Sequence, residues 1–413
     1  MAIKHEHTAV ANEIVASSYW NAAHTGTAEP AEHGNEAHSP DFFSESSEVD
    51  HDATTNTHNL TTDIDHTSIN NIGTNTHVQI DAHIAAGSPH SAHAVKTTTD
   101  LVITVGSGGD YETMAEAVAS LPDLIADNVT ITILQGTTLT ETITLSNKHA
   151  TVSEKKIVIA SERYYPTTTI IQPTADSATA TTLRDVSVFT VDDLYNDCWV
   201  LIVDGTGTNN GFVKITDTIA ASGDIVVASW PGTQPDNTSK YMIVGALVAC
   251  GGTQNYGALI QSNTCTIELY GVGVEQAAQF GIVINFCTIG YVYYCAAYNC
   301  TRIGIDFGSC TAGRAHGCAA VACNTGNSIY WGGMRNSSTS NVWFSCCALS
   351  DNLRQGINII YGGYATNSNS IGDNNGTWGT YAQFSGQCYI TGTECSGSSG
   401  NHSNGVGDGS LVY

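Results

Sequence analysis

The stretch CTIGYVYYCAAYNCTRIGIDFGSCTAGRAHGCAAVACN, at positions 287–324, contains a pattern that repeats without any change of spacing. Three cysteines arranged as C-x7-C-x4-C recur 23 residues later in the same arrangement. The two sets are Cys287, Cys295 and Cys300, then Cys310, Cys318 and Cys323. A fixed period between about 20 and 50 residues is typical of solenoid proteins, in which each turn contacts only its neighbours.

An apolar series continues the same period on both sides of this stretch. Its members are residues 281–284 (GIVI), 304–307 (GIDF), 328–331 (SIYW), 356–359 (GINI) and 379–381 (GTY). The repeats are rich in Val, Ile, Tyr, Phe, Cys, Gly and Asn and contain no helical heptads, so the repeating unit consists of short strands and turns. The sequence therefore predicts an all-β fold, a parallel β-helix with about 23 residues per coil.

The composition excludes several functions. The chain has 413 residues and a formal net charge of −25, from 13 basic and 38 acidic side chains. A surface with so few Lys and Arg residues repels phosphate groups, which excludes nucleic acid and anionic membranes as partners. The longest apolar run, residues 241–250, is about half the length of a bilayer span, which excludes membrane insertion. Residues 1–20 lack the apolar core of a secretory signal, so we expect a soluble protein made in the cytoplasm.

Changes in composition divide the chain into five segments. Residues 1–98 hold 12 of the 15 histidines and too few apolar residues for a core, so we expect an extended arm ordered by partner chains. Residues 99–192 are predicted to form an N-terminal cap and the first coils, and residues 193–245 an inserted small β-module. Residues 246–395 are predicted to form the main β-helix, followed by a Gly/Ser-rich end at 396–413.

The cap is predicted to include one short helix. Asp110 is a good N-cap residue and follows a Gly-rich turn. The apolar face of the helix is predicted to be Met114, Ala117, Val118 and Leu121. A helix at this place would cover the core and the strand edges of the first coil.

Several short motifs resemble parts of known viral proteins. Residues 33–42 (HGNEAHSPDF), 69–73 (INNIG) and 76–84 (THVQIDAHI) resemble connecting segments of tail fibre and tailspike proteins of tailed viruses. The strand, Gly-rich turn and helix that begin at residue 101 resemble the start of pectate-lyase-like right-handed β-helices. The Gly-Thr-Gly turn at 205–207 and the Pro-Asp-Asn-Thr-Ser segment at 235–239 resemble a small β-module of viral tail proteins.

This resemblance implies a location and a set of partners. It implies a homotrimer in the tail of a virion, made in the host cytoplasm. The arm would attach to other tail, baseplate or neck proteins, and the β-helix would bind the host surface, with a glycan as receptor. Many weak sites on one rigid, trimeric rod suit attachment to a cell envelope.

The cysteines are interpreted as structural. Twelve of the 13 lie between Cys250 and Cys395, and an odd number in a reduced compartment argues against a disulfide framework. Zinc sites need four converging ligands, whereas equivalent cysteines recurring once per coil stack in a row inside the solenoid. The adjacent Cys346 and Cys347 are expected to point to opposite faces of a strand.

The main β-helix offers few candidate catalytic groups. A glycosidase needs paired carboxylates, and a lyase needs a carboxylate-bound metal with a basic residue. The candidates are Glu268 and Asp306. The period places Glu268 near Tyr291 and Arg314, and it places Val283, Tyr330 and Asn358 above or below Asp306. No second carboxylate stacks on Asp306 in this alignment, and partner chains could supply one.

Aromatic residues give the stronger functional signal, because alternation along strands sends about half of them outward. Rings stack on the apolar faces of sugars, and amides bond their hydroxyls. The alternative is that these rings line an interface between subunits. The predicted glycan-binding residues are Tyr291, Tyr293, Tyr330, Trp331, Trp343, Tyr361 and Trp378.

The sequence predicts no cofactor, with one exception in the arm. His5 and His7 form an H-x-H pair, and three such pairs around a trimer axis would place six imidazoles about one metal ion. A solvated pair of histidines in a polar arm is the alternative. Sensitivity of the trimer to a chelator separates the two.

Three functions remain open from the sequence. The first is an adhesin that binds a host glycan, which the scarcity of stacked carboxylates favours. The second is a polysaccharide depolymerase, a glycosidase or lyase on the same β-helix. The third is a purely structural fibre or decoration protein.

Overall fold

The chain folds into an all-β parallel solenoid of about 12 turns with very little helix. The computed structural model describes residues 96–152, 154–166, 172–326, 328, 330–338, 340–392, 394–404 and 411–412. His5, His7 and the motifs of the arm lie outside the described residues. Within the described part of the chain, no helix is long and apolar enough to cross a membrane.

Three parallel sheets, named here A, B and C, form the sides of the solenoid. Sheet A has ten strands: Leu101–Val105, Val129–Ile133, Lys156–Ser161, Thr266–Tyr270, Ile289–Tyr293, Ala312–His316, Asn341–Ser345, Tyr364–Ser368, Gln387–Thr391 and Leu411–Val412. Sheet B has eight: Thr138–Leu139, Ala246–Ala249, Val272–Glu275, Ala296–Tyr298, Ala319–Val321, Ala348–Ser350, Ile371–Asn375 and Glu394–Gly397. Sheet C also has eight: Ile143–Ser146, Tyr256–Gln261, Phe280–Asn285, Ile303–Gly308, Gly332–Ser337, Gln355–Ile360, Trp378–Ala382 and Gly400–Asn404.

A fourth sheet, D, is antiparallel and lies outside the solenoid core. Its strands, in spatial order, are Lys240–Val244, Trp199–Asp204, Phe212–Ile219, Asp224–Val227, Thr182–Arg184 and Ser177–Ala178. A 3-10 helix, Thr208–Asn210, lies between two of them, and a small sheet pairs Leu124–Ile125 with His149–Ala150. Apolar side chains of sheet D such as Phe212 and Met242 pack on alanines of sheet B such as Ala296 and Ala319. Sheet D therefore covers the outer face of sheet B.

One short helix, Met114–Ser120, precedes the regular coils. Its N-cap is Thr113, which forms a capping box with Glu116, whereas Asp110 accepts hydrogen bonds from Thr104. The expectation that Asp110 caps the helix is thus wrong, because its carboxylate is already bonded to the preceding strand. Met114 and Ala117 are buried in the solenoid core, as the apolar pattern predicts.

Each turn bends at three corners, where one residue adopts a left-handed backbone. The register stacks these residues on one another from turn to turn, as in the corner after sheet C. That corner contains Ser262, Phe286, Ser309, Ser338, Tyr361 and Phe384, with φ between 51° and 60°. Residues other than Gly rarely adopt this backbone conformation, so its repetition at each corner is a constraint imposed by the coil.

The cysteines lie where the repeat predicts. All 13 are buried and free, and Cys318 stacks on Cys295 in register with the strands that follow them. The Sγ of Cys318 donates to the carbonyl of Val292 at 3.2 Å, and burial raises the pKa of Cys318 well above its ordinary value. Among the described residues, no group of three His, Cys, Asp or Glu side chains is placed to hold a metal ion. A buried, protonated thiol fills space as a small apolar group.

Cys346 and Cys347 differ as expected, although the cause is a corner and not a strand. Cys347 lies in the solenoid core, whereas Cys346 occupies a left-handed corner outside it. Gln172 donates to the carbonyl of Cys346, at 3.4 Å, and Cys346 is covered.

Candidate functional site

The outer face of sheet A carries a row of large polar and aromatic side chains. Ile267, Leu269 and Val292 on alternate positions point into the core, so the residues between them point outward. The parallel register stacks one residue of each strand in a central column: Val158, Glu268, Tyr291, Arg314, Trp343, Thr366 and Tyr389. A second column, two residues further along each strand, contains Ala160, Tyr270, Tyr293, His316, Ser345 and Ser368.

Rings in the second column contact one another. Tyr270 and Tyr293 stack with centroids 4.7 Å apart and an interplanar angle of 17°. At the adjoining corner, Tyr294 stacks on Tyr164 at 5.6 Å and meets the edge of His316 at 5.6 Å. Successive turns of a β-helix are spaced at about 4.8 Å, which is close to the distance at which offset rings stack. These contacts hold one side of the face rigid.

The upper part of the face is more exposed. Tyr364 precedes Thr366 on its strand and lies beside the central column. Relative exposure is 48% for Trp343, 46% for Tyr364 and 50% for Tyr389. Trp343 is oriented by its indole N–H, which donates to Ser368 Oγ at 2.9 Å. We call the outward set Tyr291, Tyr293, Arg314, Trp343, Tyr364 and Tyr389 the aromatic face.

Arg314 lies in the middle of the aromatic face. Its guanidinium carbon is 4.9 Å from the ring centroid of Trp343 and 5.9 Å from that of Tyr293. Burial raises the pKa of Tyr293, and the charge of Arg314 acts in the opposite direction. Burial also lowers the pKa of His316, and Arg314 lowers it further, so His316 is mainly neutral at pH 7. Arg314 therefore supplies the positive charge of this region.

Glu268 follows Val158 in the central column, and an ion pair fixes its carboxylate. Its Oε2 accepts from Lys156 Nζ at 3.0 Å and from the hydroxyl of Tyr270 at 3.2 Å. Burial, and then the charge of Glu268, raise the pKa of Tyr270. Val158 and Tyr291 are the neighbours of Glu268 in the column, as the period predicts for Tyr291. Neither neighbour is the second carboxylate that hydrolysis requires.

Asp306 is on the outer face of sheet C and is also held by a cation. Arg335 donates to both of its oxygens, from Nε at 2.8 Å and from an η nitrogen at 2.7 Å. The predicted stacking of Tyr330 next to Asp306 is wrong, because the register pairs Asp306 with Arg335. This turn has 29 residues between equivalent positions instead of 23, and the extra residues come between the strands Ala319–Val321 and Gly332–Ser337 in the sequence.

The predicted glycan-binding residues lie on two different sides of the solenoid. Tyr291, Tyr293 and Trp343 belong to the aromatic face. The other four are on the side of sheet C, where Tyr330 and Tyr361 both contact Phe384, at 5.7 and 5.2 Å between centroids. Trp331 lies under the guanidinium of Arg302, and the ring of Trp378 packs against Gly400. The sequence therefore identifies the rings but not their grouping.

Sequence reasoning did not assign Arg314, Tyr364 and Tyr389 to the site. The signal was present, because positions 23 residues apart in adjacent strands share a face. Tyr364 and Tyr389 follow the same outward alternation as Trp343. A flat row of exposed rings with a guanidinium between them can stack on sugar rings and bond their polar groups.

Comparisons with known proteins give distant similarity. No protein-family model matches the chain, and no curated protein matches it. Among solved structures, a glycoside hydrolase is 8% identical, with 69% of this chain and 88% of the other covered and a TM-score of 0.23. The tailspike protein gp49 from Pseudomonas phage LKA1 is 12% identical, with 64% and 50% covered and a TM-score of 0.17. The tailspike gp61 of Pseudomonas phage phi297 is 9% identical, with 65% and 58% covered and a TM-score of 0.18. The chain thus spans about half the length of the two tailspikes.

Proposed function

We propose that the protein is a tail fibre or tailspike-type component of a tailed virus, and that its aromatic face binds a glycan of the host surface. The observation that carries this proposal is the row of half-exposed rings, Trp343, Tyr364 and Tyr389, on one rigid sheet. Contiguous patches of exposed aromatic rings mark interaction sites, because a bound ligand that removes the rings from water lowers the free energy. The motifs of the arm support the viral assignment.

The dimensions of the face suit an extended ligand. Tyr291 and Tyr389 are four turns apart in the central column, or about 19 Å at about 4.8 Å per turn. The exposed amide of Asn341 lies next to Tyr364 in register, and the hydroxyl of Thr366 lies between Trp343 and Tyr389. Both groups can form hydrogen bonds with sugar hydroxyls. A flat site open at both ends accommodates an internal segment of a polysaccharide chain.

Replacing Trp343 by alanine is expected to weaken glycan binding about tenfold, because central aromatic anchors contribute more than about 1 kcal/mol each. Tyr389→Ala should have an effect in the same direction. The measurement is binding of the full chain to a glycan array and to envelope polysaccharide from bacteria that the virus adsorbs to. Titration of the best array ligand gives the dissociation constants.

Phe286→Ala is the matched control, since Phe286 is a 63% exposed ring at a corner outside the aromatic face. It should bind as the wild type does. Equal losses in Phe286→Ala and Trp343→Ala would remove the aromatic face as the site, and no glycan bound by the wild type would favour a purely structural fibre. Release of reducing ends or unsaturated sugars from the polymer, abolished by Glu268→Gln, would instead establish a depolymerase.

The same proposal includes a homotrimer that attaches through its arm to other tail, baseplate or neck proteins. Three parallel copies of the aromatic face would act together through effective concentration. We expect light scattering on the native protein to give three times the mass of one chain. A mass of one chain in native solution would contradict the trimer. Unchanged mass after treatment with a chelator would exclude a metal at His5 and His7 as its stabilising element.

A further inference from the structure

Arg314 has no acidic partner in the structure. Among the described residues, no carboxylate lies within ion-pair distance of it, and its buried Nε has no hydrogen-bond partner. Other cations of the solenoid, such as Lys156 and Arg335, are paired with Glu268 and Asp306. Arg314 is thus a half-buried guanidinium without a carboxylate partner among the described residues, in a chain with 38 acidic side chains.

The surroundings of Arg314 do not neutralise it. Its neighbours in the central column are Tyr291 and Trp343, and the nearest acid of the column is Glu268, two turns away at about 10 Å. Lys156 already compensates Glu268. The remaining negative charge of the chain is screened over a Debye length of about 8 Å at physiological salt. The middle of the aromatic face is therefore locally positive.

The two rings fix the orientation of the guanidinium. Trp343 and Tyr293 both lie within 6 Å of its carbon, so the group is held in place before any ligand arrives. A planar guanidinium forms two parallel hydrogen bonds to a carboxylate, which a hydroxyl cannot match. Such preorganisation reduces the entropy lost on binding.

We propose that Arg314 binds the carboxylate of an acidic sugar, so that the glycan recognised by the aromatic face carries uronic acid or a related carboxylated unit. This inference rests on the proposed glycan-binding function. Trp343 stacks on the sugar ring, and Arg314 beside it selects the acidic unit. Binding is then weakened by added salt, because part of the attraction is electrostatic.

The test uses an array of acidic oligosaccharides and the same oligosaccharides after chemical reduction of their carboxyl groups to alcohols. We expect the wild type to bind acidic members about tenfold or more tightly than their reduced counterparts. Arg314→Gln should lose this preference, because its loss of affinity is expected to be much larger for acidic members than for reduced ones. Arg314→Lys should keep part of the preference for acidic members, because an ammonium group keeps the charge but not the planar pair of donors.

Arg302→Gln is the matched control, because Arg302 lies 4.9 Å over Trp331 on the side of sheet C. This substitution also removes a contact between a guanidinium and a tryptophan ring. The variant should still prefer acidic oligosaccharides over their reduced counterparts as strongly as the wild type does. Equal binding of acidic and reduced members by the wild type, or an unchanged preference in Arg314→Gln, would overturn the role of Arg314 and leave glycan binding intact. Absence of binding to every member would overturn the glycan-binding function as well. Circular dichroism and the melting temperature of each variant show whether it is folded.

Discussion

Replacing Phe344 by alanine is expected to lower the free energy of unfolding by about 3–5 kcal/mol, the usual cost of removing a fully buried ring. Phe344 points into the solenoid from sheet A and contacts Phe307 of sheet C edge-on, at 6.0 Å between centroids. Ala315 precedes it in the inner column and Asn367 follows it. The parallel strands fix the backbone on both sides, so the space left by the ring cannot close.

The measurement is denaturant unfolding followed by circular dichroism, with Phe286→Ala as the control. Phe286 is exposed, and its truncation should change the free energy of unfolding by no more than about 0.5 kcal/mol. Similar values for the two variants would show that Phe307 and Phe344 do not stabilise the core. Because each turn contacts only its neighbours, loss of hydrogen-exchange protection should be greatest in the turns next to Phe344.

The repeat predicts the solenoid because a stacked interior demands similar side chains at equivalent positions. Cys295 and Cys318 lie one above the other in the structure, and their identity in the sequence reflects this contact. The 23-residue period does not hold in the turn after Asp306, where 29 residues separate equivalent positions. Surface connections tolerate added residues, so the spacing across this turn carries no information about register. The partner of Asp306 was consequently missed.

The candidate site was only partly predictable, for a different reason. Alternation shows that Tyr298 and Tyr293 both point outward, but it does not show what covers them. Tyr298 packs against residues of sheet D, beside Gly211, whereas Tyr293 remains on the aromatic face. Which side of a solenoid is covered depends on contacts between segments far apart in sequence. Trp343 and Arg314 are neighbours likewise because of the register between their two strands, which the sequence does not specify across the longer turn.

Asp306→Asn is expected to destabilise the protein by about 3–5 kcal/mol, the range observed when one partner of a buried ion pair is removed. Both oxygens of Asp306 accept from Arg335, and both side chains are largely buried. Burial alone would lower the pKa of Arg335, but the carboxylate of Asp306 more than offsets this and raises it. Without that carboxylate, Arg335 keeps its charge in a site with little water. The free energy of unfolding in denaturant measures the effect.

Two controls separate the ion pair from its surroundings. Asp197→Asn breaks the pair between Lys214 and Asp197, whose side chains are 44% and 64% exposed, and should cost about 0–1 kcal/mol. The double variant Asp306→Leu/Arg335→Met removes both charges and should recover most of the loss, because apolar groups of similar volume replace a buried pair at little cost. If Asp306→Asn is no more harmful than Asp197→Asn, the pair is solvated and not structural. If the double variant is as unstable as Asp306→Asn, the loss comes from packing beside Phe280, which lies 5.7 Å from the guanidinium of Arg335, and not from an unpaired charge.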